Sequence, residues 1–119
     1  MAENDKLLIY GYKHKNSGEI MDFILNLPEE ETYRIFAVLE KINVEGAEVL
    51  VLNKIPYETK KIDDIVFEIK IDSNRLMYCY MNKGRVCILS AFKKDSQKTR
   101  KVEIDKAIKR AKEVLNDLE

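Results

Sequence analysis

The fold of this chain is decided by residues 65–92, whose sequence is IVFEIKIDSNRLMYCYMNKGRVCILSAF. Three runs rich in β-branched and aromatic residues are separated by short polar turns, which is typical of neighbouring antiparallel strands. We predict strands at residues 65–71, 75–81 and 85–92. In the first of them Glu68 and Lys70 point away from the isoleucines, so we expect both side chains on an open face of the sheet.

The turn Asn82-Lys83-Gly84 joins the last two strands. If Met81 pairs with Arg85, then Cys79 falls opposite Cys87, close enough for a cross-strand disulfide in principle. Two reduced, buried cysteines are the favoured interpretation for a cytoplasmic protein. Two cysteines and one histidine cannot complete a four-ligand zinc site, so no metal is expected.

The segments on either side of residues 65–92 complete the predicted fold. Apolar spacing predicts a first strand at 7–12, helices at 19–26 and from Pro28 to about Gly46, and a long helix after Thr99. Pro56 and the charged residues up to Lys61 favour an irregular connection before the central strands. The order β-α-α-β-β-β-α predicts an α+β fold, with two N-terminal helices and a C-terminal helix packed on an antiparallel sheet.

Length and composition limit the class of protein. A chain of 119 residues is expected to form a single domain, residues 1–119. No apolar run approaches the roughly 20 residues that a membrane helix needs, and the first six residues are not those of a secretory signal. We therefore expect a cytoplasmic protein with no membrane partner.

Opposite charges are segregated along the chain, although the formal net charge is zero. Residues 75–112 contain twelve Lys or Arg and three acids, whereas residues 1–50 contain ten acids and five bases. Strand alternation could gather several cations on one surface, with Tyr78 and Tyr80 available for base stacking. These cations are Lys70, Arg75, Lys93, Lys94 and Lys98. The pattern favours a phosphate-binding surface and a merely solvated face equally.

Common catalytic signatures are absent from the sequence. However, several segments together resemble the phage-derived HigB branch of the RelE toxin superfamily, over residues 7–115. These segments are VFEIK at 66–70, RLMY at 75–78, AFKK at 91–94, QKT at 97–99, Glu103-Ile104 with Ala107, and MDFILNLP at 21–28.

The resemblance implies a type II toxin that cleaves messenger RNA, usually on the ribosome, and that a cognate antitoxin, commonly a helix-turn-helix protein, neutralises. It implies a reaction without metal or cofactor, in which the ribose 2′-hydroxyl attacks the adjacent phosphate. Such a reaction needs a base, a group that stabilises the pentavalent phosphate, and an acid.

The resemblance also implies roles for individual residues. Arg75 would hold the phosphate, and Lys94 would stabilise charge or donate a proton. Either Lys70 or Glu68 would be the base, and Glu68 has the alternative role of a structural partner for Arg75. Four further residues would bind RNA: Lys93, Gln97, Lys98 and Tyr78.

Two departures from the family pattern and a low pI keep a second function open. Ser90 stands where many relatives carry a histidine, and Arg100 where a proline is common. The sequence pI of about 6.6 is low for a protein that docks on ribosomal RNA. The alternative is a catalytically weak binding module that pairs with an antitoxin as co-repressor or phage accessory protein. A structural phage protein without nucleic-acid contact is the third and most remote hypothesis.

Overall fold

The computed structural model describes residues 8–11, 18–45, 58–81, 84–95 and 97–117. These residues form five strands, β1 Leu8–Gly11, β2 Glu58–Lys61, β3 Phe67–Ile71, β4 Asn74–Met81 and β5 Arg85–Lys93. They also form three helices, α1 Glu19–Leu25, α2 Glu29–Glu45 and α3 Gln97–Asp117. The predicted α+β class, with N-terminal helices and a C-terminal helix on one sheet, is confirmed. Within the described ranges, no helix is long and apolar enough to span a bilayer.

The five strands form one sheet in the order β1-β5-β4-β3-β2. Neighbouring strands pair antiparallel, except that β1 runs parallel to β5. The sheet is therefore mixed, whereas the sequence predicted an antiparallel sheet. The parallel pair joins the first and last of the described strands, so no local turn signal predicts it.

The strand β2 corrects the prediction of an irregular connection at residues 58–61. Its sequence, ETKK, contains no apolar residue, and it pairs with β3 at the edge of the sheet. Lys60 and Lys61 are exposed. Charged side chains on an edge strand discourage pairing with another chain, and the same charges conceal the strand from a search for apolar alternation.

Both faces of the sheet carry an apolar core. On one face, α1 and α2 bury isoleucines against the sheet; this cluster contains Ile20, Ile24, Ile35, Ile42, Ile69, Leu76 and Tyr78. On the other face, α3 covers a second cluster, which contains Val66, Met77, Cys79, Leu89, Phe92, Ala107 and Ala111. Successive strand residues point to opposite faces, so the side chains of β4 are buried on both faces of the sheet.

The β4–β5 hairpin has the register on which the cysteine pairing was conditional: Met81 pairs with Arg85, and Cys79 lies opposite Cys87. Both cysteines are free and buried, and burial raises the pKa of Cys79 to about 11 and that of Cys87 to about 12. The register then shifts between Met77 and Tyr78, which leaves Leu89 as the extra residue of a bulge in β5.

Candidate functional site

On the face that α3 covers, two adjacent rows of side chains cross β3, β4 and β5. Two of the three residues in each row are polar or charged, and we call them the two polar rows. The strand registers give Lys70, Arg75 and Phe92 in one row, and Glu68, Met77 and Ser90 in the next. Directly opposed residues have Cβ atoms about 4.5–5.5 Å apart. The registers thus place Lys70 beside Arg75, and Glu68 diagonal to it.

The two-residue turn between β3 and β4 sets this arrangement. Asp72 has a backbone φ of 59°, in the left-handed region that Asp adopts more readily than most residues. Its carboxylate accepts a hydrogen bond from Arg34 Nε of α2 at 2.6 Å, and this bond raises the pKa of Arg34. The turn is therefore tied to α2 while it brings Lys70 opposite Arg75.

The Arg75 guanidinium lies against this turn, and the residue as a whole is only 7% exposed. Its Nη1 donates to the carbonyl oxygens of Asp72 and Asn74, at 3.0 Å each, and its buried Nε has no hydrogen-bond partner. In the described part of the chain, no carboxylate lies within salt-bridge distance of Arg75. A cation held in this way is suited to binding an anion such as phosphate.

Glu68 is fully buried, with 0% exposure, and forms an ion pair with Arg100 of α3 through Oε2 and Nη1. Its second oxygen, Oε1, is buried without a partner. The expectation of an open face at Glu68 is wrong, because α3 covers that face. The proposed structural pairing with Arg75 is also corrected, since the partner is Arg100.

Lys93 lies on the opposite face of the sheet, beside the start of α2. Its Nζ is 2.8 Å from Glu31 Oε1, and Asn74 Nδ2 donates to the same oxygen at 2.8 Å. The hydrogen bond from Lys93, followed by that from Asn74, lowers the pKa of Glu31. The expectation that Lys93 joins the other cations on one surface is therefore wrong.

Lys94 follows the end of β5, and its backbone N–H donates to Ser73 O at 2.8 Å. This bond extends the β4–β5 pairing to the turn that also holds Arg75, and the Lys94 side chain is exposed. Lys70 is half-buried. The site thus offers two amines and a guanidinium that can bind an anion. Among the described residues, no group of three His, Cys, Asp or Glu side chains could hold a metal ion.

The model of the family described as phage-derived protein Gp49-like (DUF891) matches residues 22–112. The chain belongs to the Gp49-like family. This is a RelE/toxin-like family, whose members are often toxins of toxin–antitoxin systems. No curated protein matches the chain significantly.

In this Gp49-like protein the matched segment includes all of β2–β5 and every residue of the two polar rows. Of the predicted catalytic residues, Lys70, Arg75 and Glu68 lie in these rows, and Lys94 lies at the adjoining turn. Gln97 and Lys98 begin α3, but their side chains lie outside the described part of the structure, so their RNA contacts stay predictions.

Tyr78 requires a correction, because its side chain is only 1% exposed. It belongs to the core beneath α1 and α2 and stacks on Phe67, with ring centroids 5.6 Å apart. A ring in this position cannot stack on an RNA base, so the prediction of an RNA-binding Tyr78 is wrong. Tyr80 is half-buried and packs edge-on against both rings.

The sequence analysis missed Arg100 as the partner of Glu68. Two signals were present: a carboxylate on a covered strand face needs a cation, and Arg100 lies seven and eleven residues before Ala107 and Ala111. That spacing places Arg100 on the face of α3 that meets the sheet. Ser90 is also buried, and its hydroxyl oxygen has no partner.

Proposed function

We propose that this protein is the toxin of a type II toxin–antitoxin system, in the HigB-like branch of the RelE superfamily. Its proposed activity is metal-independent cleavage of messenger RNA on the ribosome, in the cytoplasm. The observation that carries this proposal is Arg75, a guanidinium without a carboxylate partner in the described residues, in register with Lys70 and at the turn that binds the Lys94 backbone. Membership of a toxin-like family supports it.

In the proposed reaction the ribose 2′-oxygen attacks the adjacent phosphorus and the bond to the 5′-oxygen breaks. A base removes the 2′-hydroxyl proton, and an acid protonates the leaving 5′-oxygen. The products are a 2′,3′-cyclic phosphate and a free 5′-hydroxyl. Arg75 stabilises the charge that develops on the pentavalent phosphate, and Lys94 stabilises charge or supplies the proton.

The surroundings of the two candidate bases favour Lys70 over Glu68. Glu68 is completely buried, and one of its oxygens is committed to Arg100. A base must come within about 3.2 Å of the proton it removes, which requires access to the substrate. Lys70 retains some exposure and lies directly opposite Arg75, so we assign it the role of base.

The nuclease proposal is tested by inducible expression of the wild type in bacteria, with growth followed and messenger RNA ends mapped. We expect growth arrest with new RNA ends, and loss of both in Arg75→Ala. Arg75→Lys keeps the charge and guards against a folding defect, and it should restore part of the cleavage. Lys101→Ala, which removes an exposed cation from α3, is the matched control and should arrest growth like the wild type. Harmless expression of abundant, soluble wild type contradicts the proposal.

The proposed partner is a cognate antitoxin, commonly a helix-turn-helix protein. An apolar cleft of about 530 Å³ between β1, α1 and α2 supports binding of a protein partner. Met21 and Phe36 line it with their side chains partly exposed, and Glu40 lies at its edge. An amphipathic helix with basic flanks has the chemistry to fill such a cleft. The cleft is on the face of the sheet opposite Arg75, so this partner would not contact the two polar rows.

The same cleft favours the second candidate function, a binding module with weak or no catalysis. In that case the wild type binds the antitoxin but leaves messenger RNA intact in a translating extract. Phe36→Ser should weaken binding to a candidate antitoxin encoded beside the gene, whereas Val102→Ser, an exposed position on α3, should not. Clean cleavage by the wild type in the extract excludes this function.

A further inference from the structure

We propose that Arg100 is a positioning residue that fixes the first turn of α3 over the two polar rows through its ion pair with Glu68. This inference rests on the proposed nuclease function and adds to it a residue that touches neither substrate nor reacting atoms. It also assigns Glu68 the role of anchor for Arg100 and removes it from the list of bases.

Glu68 is a buried carboxylate with apolar neighbours in the sheet. The carboxylate lies at 0% exposure on the strand face occupied by Val66 and, one strand away, by Met77. A buried carboxylate is tolerated when a cation and hydrogen bonds compensate for its lost hydration. Arg100 supplies both, across 32 residues of sequence.

Arg100 lies close to the start of α3. It is the fourth residue of a helix of 21 residues. The other contacts of α3 with the sheet are farther along: Ile104, Ala107 and Ala111 pack in the core, and Arg110 donates to Leu89 O at 2.9 Å. With a rise of 1.5 Å per residue, these contacts begin roughly 6 Å beyond Arg100, so among the described side chains Arg100 makes the contact nearest the start of α3.

The first turn of α3 lies beside the polar rows, because Arg100 contacts Glu68 there. Lys94 lies three residues before the start of α3 at Gln97 and is fixed by the hydrogen bond from its backbone N–H to Ser73 O. Arg100 fixes the first turn of α3. That turn, which includes Lys98, therefore keeps its position relative to Lys70 and Arg75 only while Arg100 holds Glu68. A displacement of about 1 Å can cost a reaction about 10²-fold in rate.

The test compares Arg100→Met, Glu68→Gln and the double variant Glu68→Met/Arg100→Met with the wild type. Lys106→Met is the matched control, since it removes two ion pairs of α3 away from the polar rows, with Glu103 at 3.1 Å and with Glu19 of α1 at 3.8 Å. Three quantities are measured: the single-turnover rate of messenger RNA cleavage with its pH profile, the affinity for an RNA that carries a 2′-deoxyribose at the cleavage position, and the hydrogen exchange of the α3 backbone.

We expect Arg100→Met to slow cleavage at least about tenfold while RNA affinity changes less than about threefold. Exchange should accelerate at the amides of residues 101–104, which donate to the carbonyls of the first turn of α3, and stay unchanged around Ala107. Glu68→Gln should slow cleavage without moving the midpoints of the pH profile. The double variant should recover part of the rate, because an apolar pair can replace a buried ion pair when the packing is kept. Lys106→Met should behave like the wild type.

Two results overturn the inference. Unchanged cleavage and unchanged exchange in Arg100→Met show that the ion pair positions nothing. Loss of the acidic limb of the pH profile in Glu68→Gln, without recovery in the double variant, makes Glu68 the base. The exchange experiment needs no catalysis. If the wild type cleaves no RNA, the nuclease proposal fails, while faster exchange in Arg100→Met still supports the role of Arg100 in holding α3.

Discussion

Lys93 Nζ lies 2.8 Å from Glu31 Oε1, on the face of the sheet opposite Arg75. Its neighbour Lys94 is exposed just beyond the end of β5, and its backbone binds the β3–β4 turn. Two consecutive lysines therefore have different surroundings. One neutralises a carboxylate at the start of α2, and the other is available to an anionic ligand.

This difference predicts different effects for two adjacent substitutions. Lys94→Ala should lower RNA cleavage and reduce the salt dependence of RNA binding by about one unit of slope, as expected for the loss of one phosphate contact. Lys93→Ala should leave both unchanged and lower the resistance to urea instead. Measuring both variants at several salt concentrations checks this, and equal effects on RNA binding would contradict the assignment of Lys93 to the opposite face.

The contacts of Glu31 predict a pH-dependent contribution to stability. The hydrogen bonds from Lys93 and Asn74 lower the pKa of Glu31 in the folded protein. The resulting stabilisation is present above the ordinary carboxylate pKa and is lost as the pH falls through the lowered, folded-state value. The urea midpoint of the wild type should therefore exceed that of Glu31→Gln at pH 7, and the gap should narrow as the pH falls below the ordinary value of 4.5. A gap that stays constant as the pH falls below 4.5 would show that charge is not its origin.

The thiols of Cys79 and Cys87 should resist modification in the folded protein. Burial raises their pKa values to about 11 and about 12, and both side chains are inaccessible. Because the thiolate is the reactive form, we expect labelling by a thiol reagent at pH 8 to be at least about tenfold slower in the native state than in urea. Rapid native labelling of either cysteine would mean that the β4–β5 hairpin opens readily.

Arg110 should contribute strongly to stability, although it lies far along α3 from the polar rows. Its side chain is buried, donates to the carbonyl of the bulge residue Leu89 and forms an ion pair with Glu19 of α1. Arg110→Met leaves that carbonyl without this donor, which should cost about 1–3 kcal/mol of unfolding free energy. Lys109→Met, an exposed control on the same helix, should change it by less than about 0.5 kcal/mol. Urea unfolding of both variants measures the difference.

Local patterns predicted the parts of the fold that local physics decides. The strands β4 and β5 followed from their composition and from the turn signal at residues 82–84, and α2 followed from apolar residues at helical spacing, of which Ile35 and Ile42 are buried. β2 was missed because an edge strand of charged and polar residues has no apolar period. The parallel pairing of β1 with β5 was missed because it depends on the whole intervening chain.

The same limit explains which site residues were placed correctly. Alternation put Glu68 and Lys70 on one face, but it does not say which face a distant helix covers. Only docking of α3 makes Glu68 a buried partner of Arg100. Alternation from Phe92 would have placed Lys93 on the other face, but the predicted strand ended at residue 92, whereas β5 includes Lys93. Tyr78 was misassigned because an aromatic residue on a strand is suited equally to stacking on a base and to filling a core.

The two-residue turn at Asp72 has a consequence for the order in which the protein assembles. Lys70 and Arg75 become neighbours by closing one of the shortest loops a chain can form, which costs little entropy and takes microseconds in hairpins. The Arg100–Glu68 pair must close a loop of 32 residues and needs the completed sheet beneath it. A chain still emerging from its own ribosome would therefore carry the paired cations of β3 and β4 before α3 can dock. In the proposed nuclease, the site would be complete only after α3 has been synthesised and has docked.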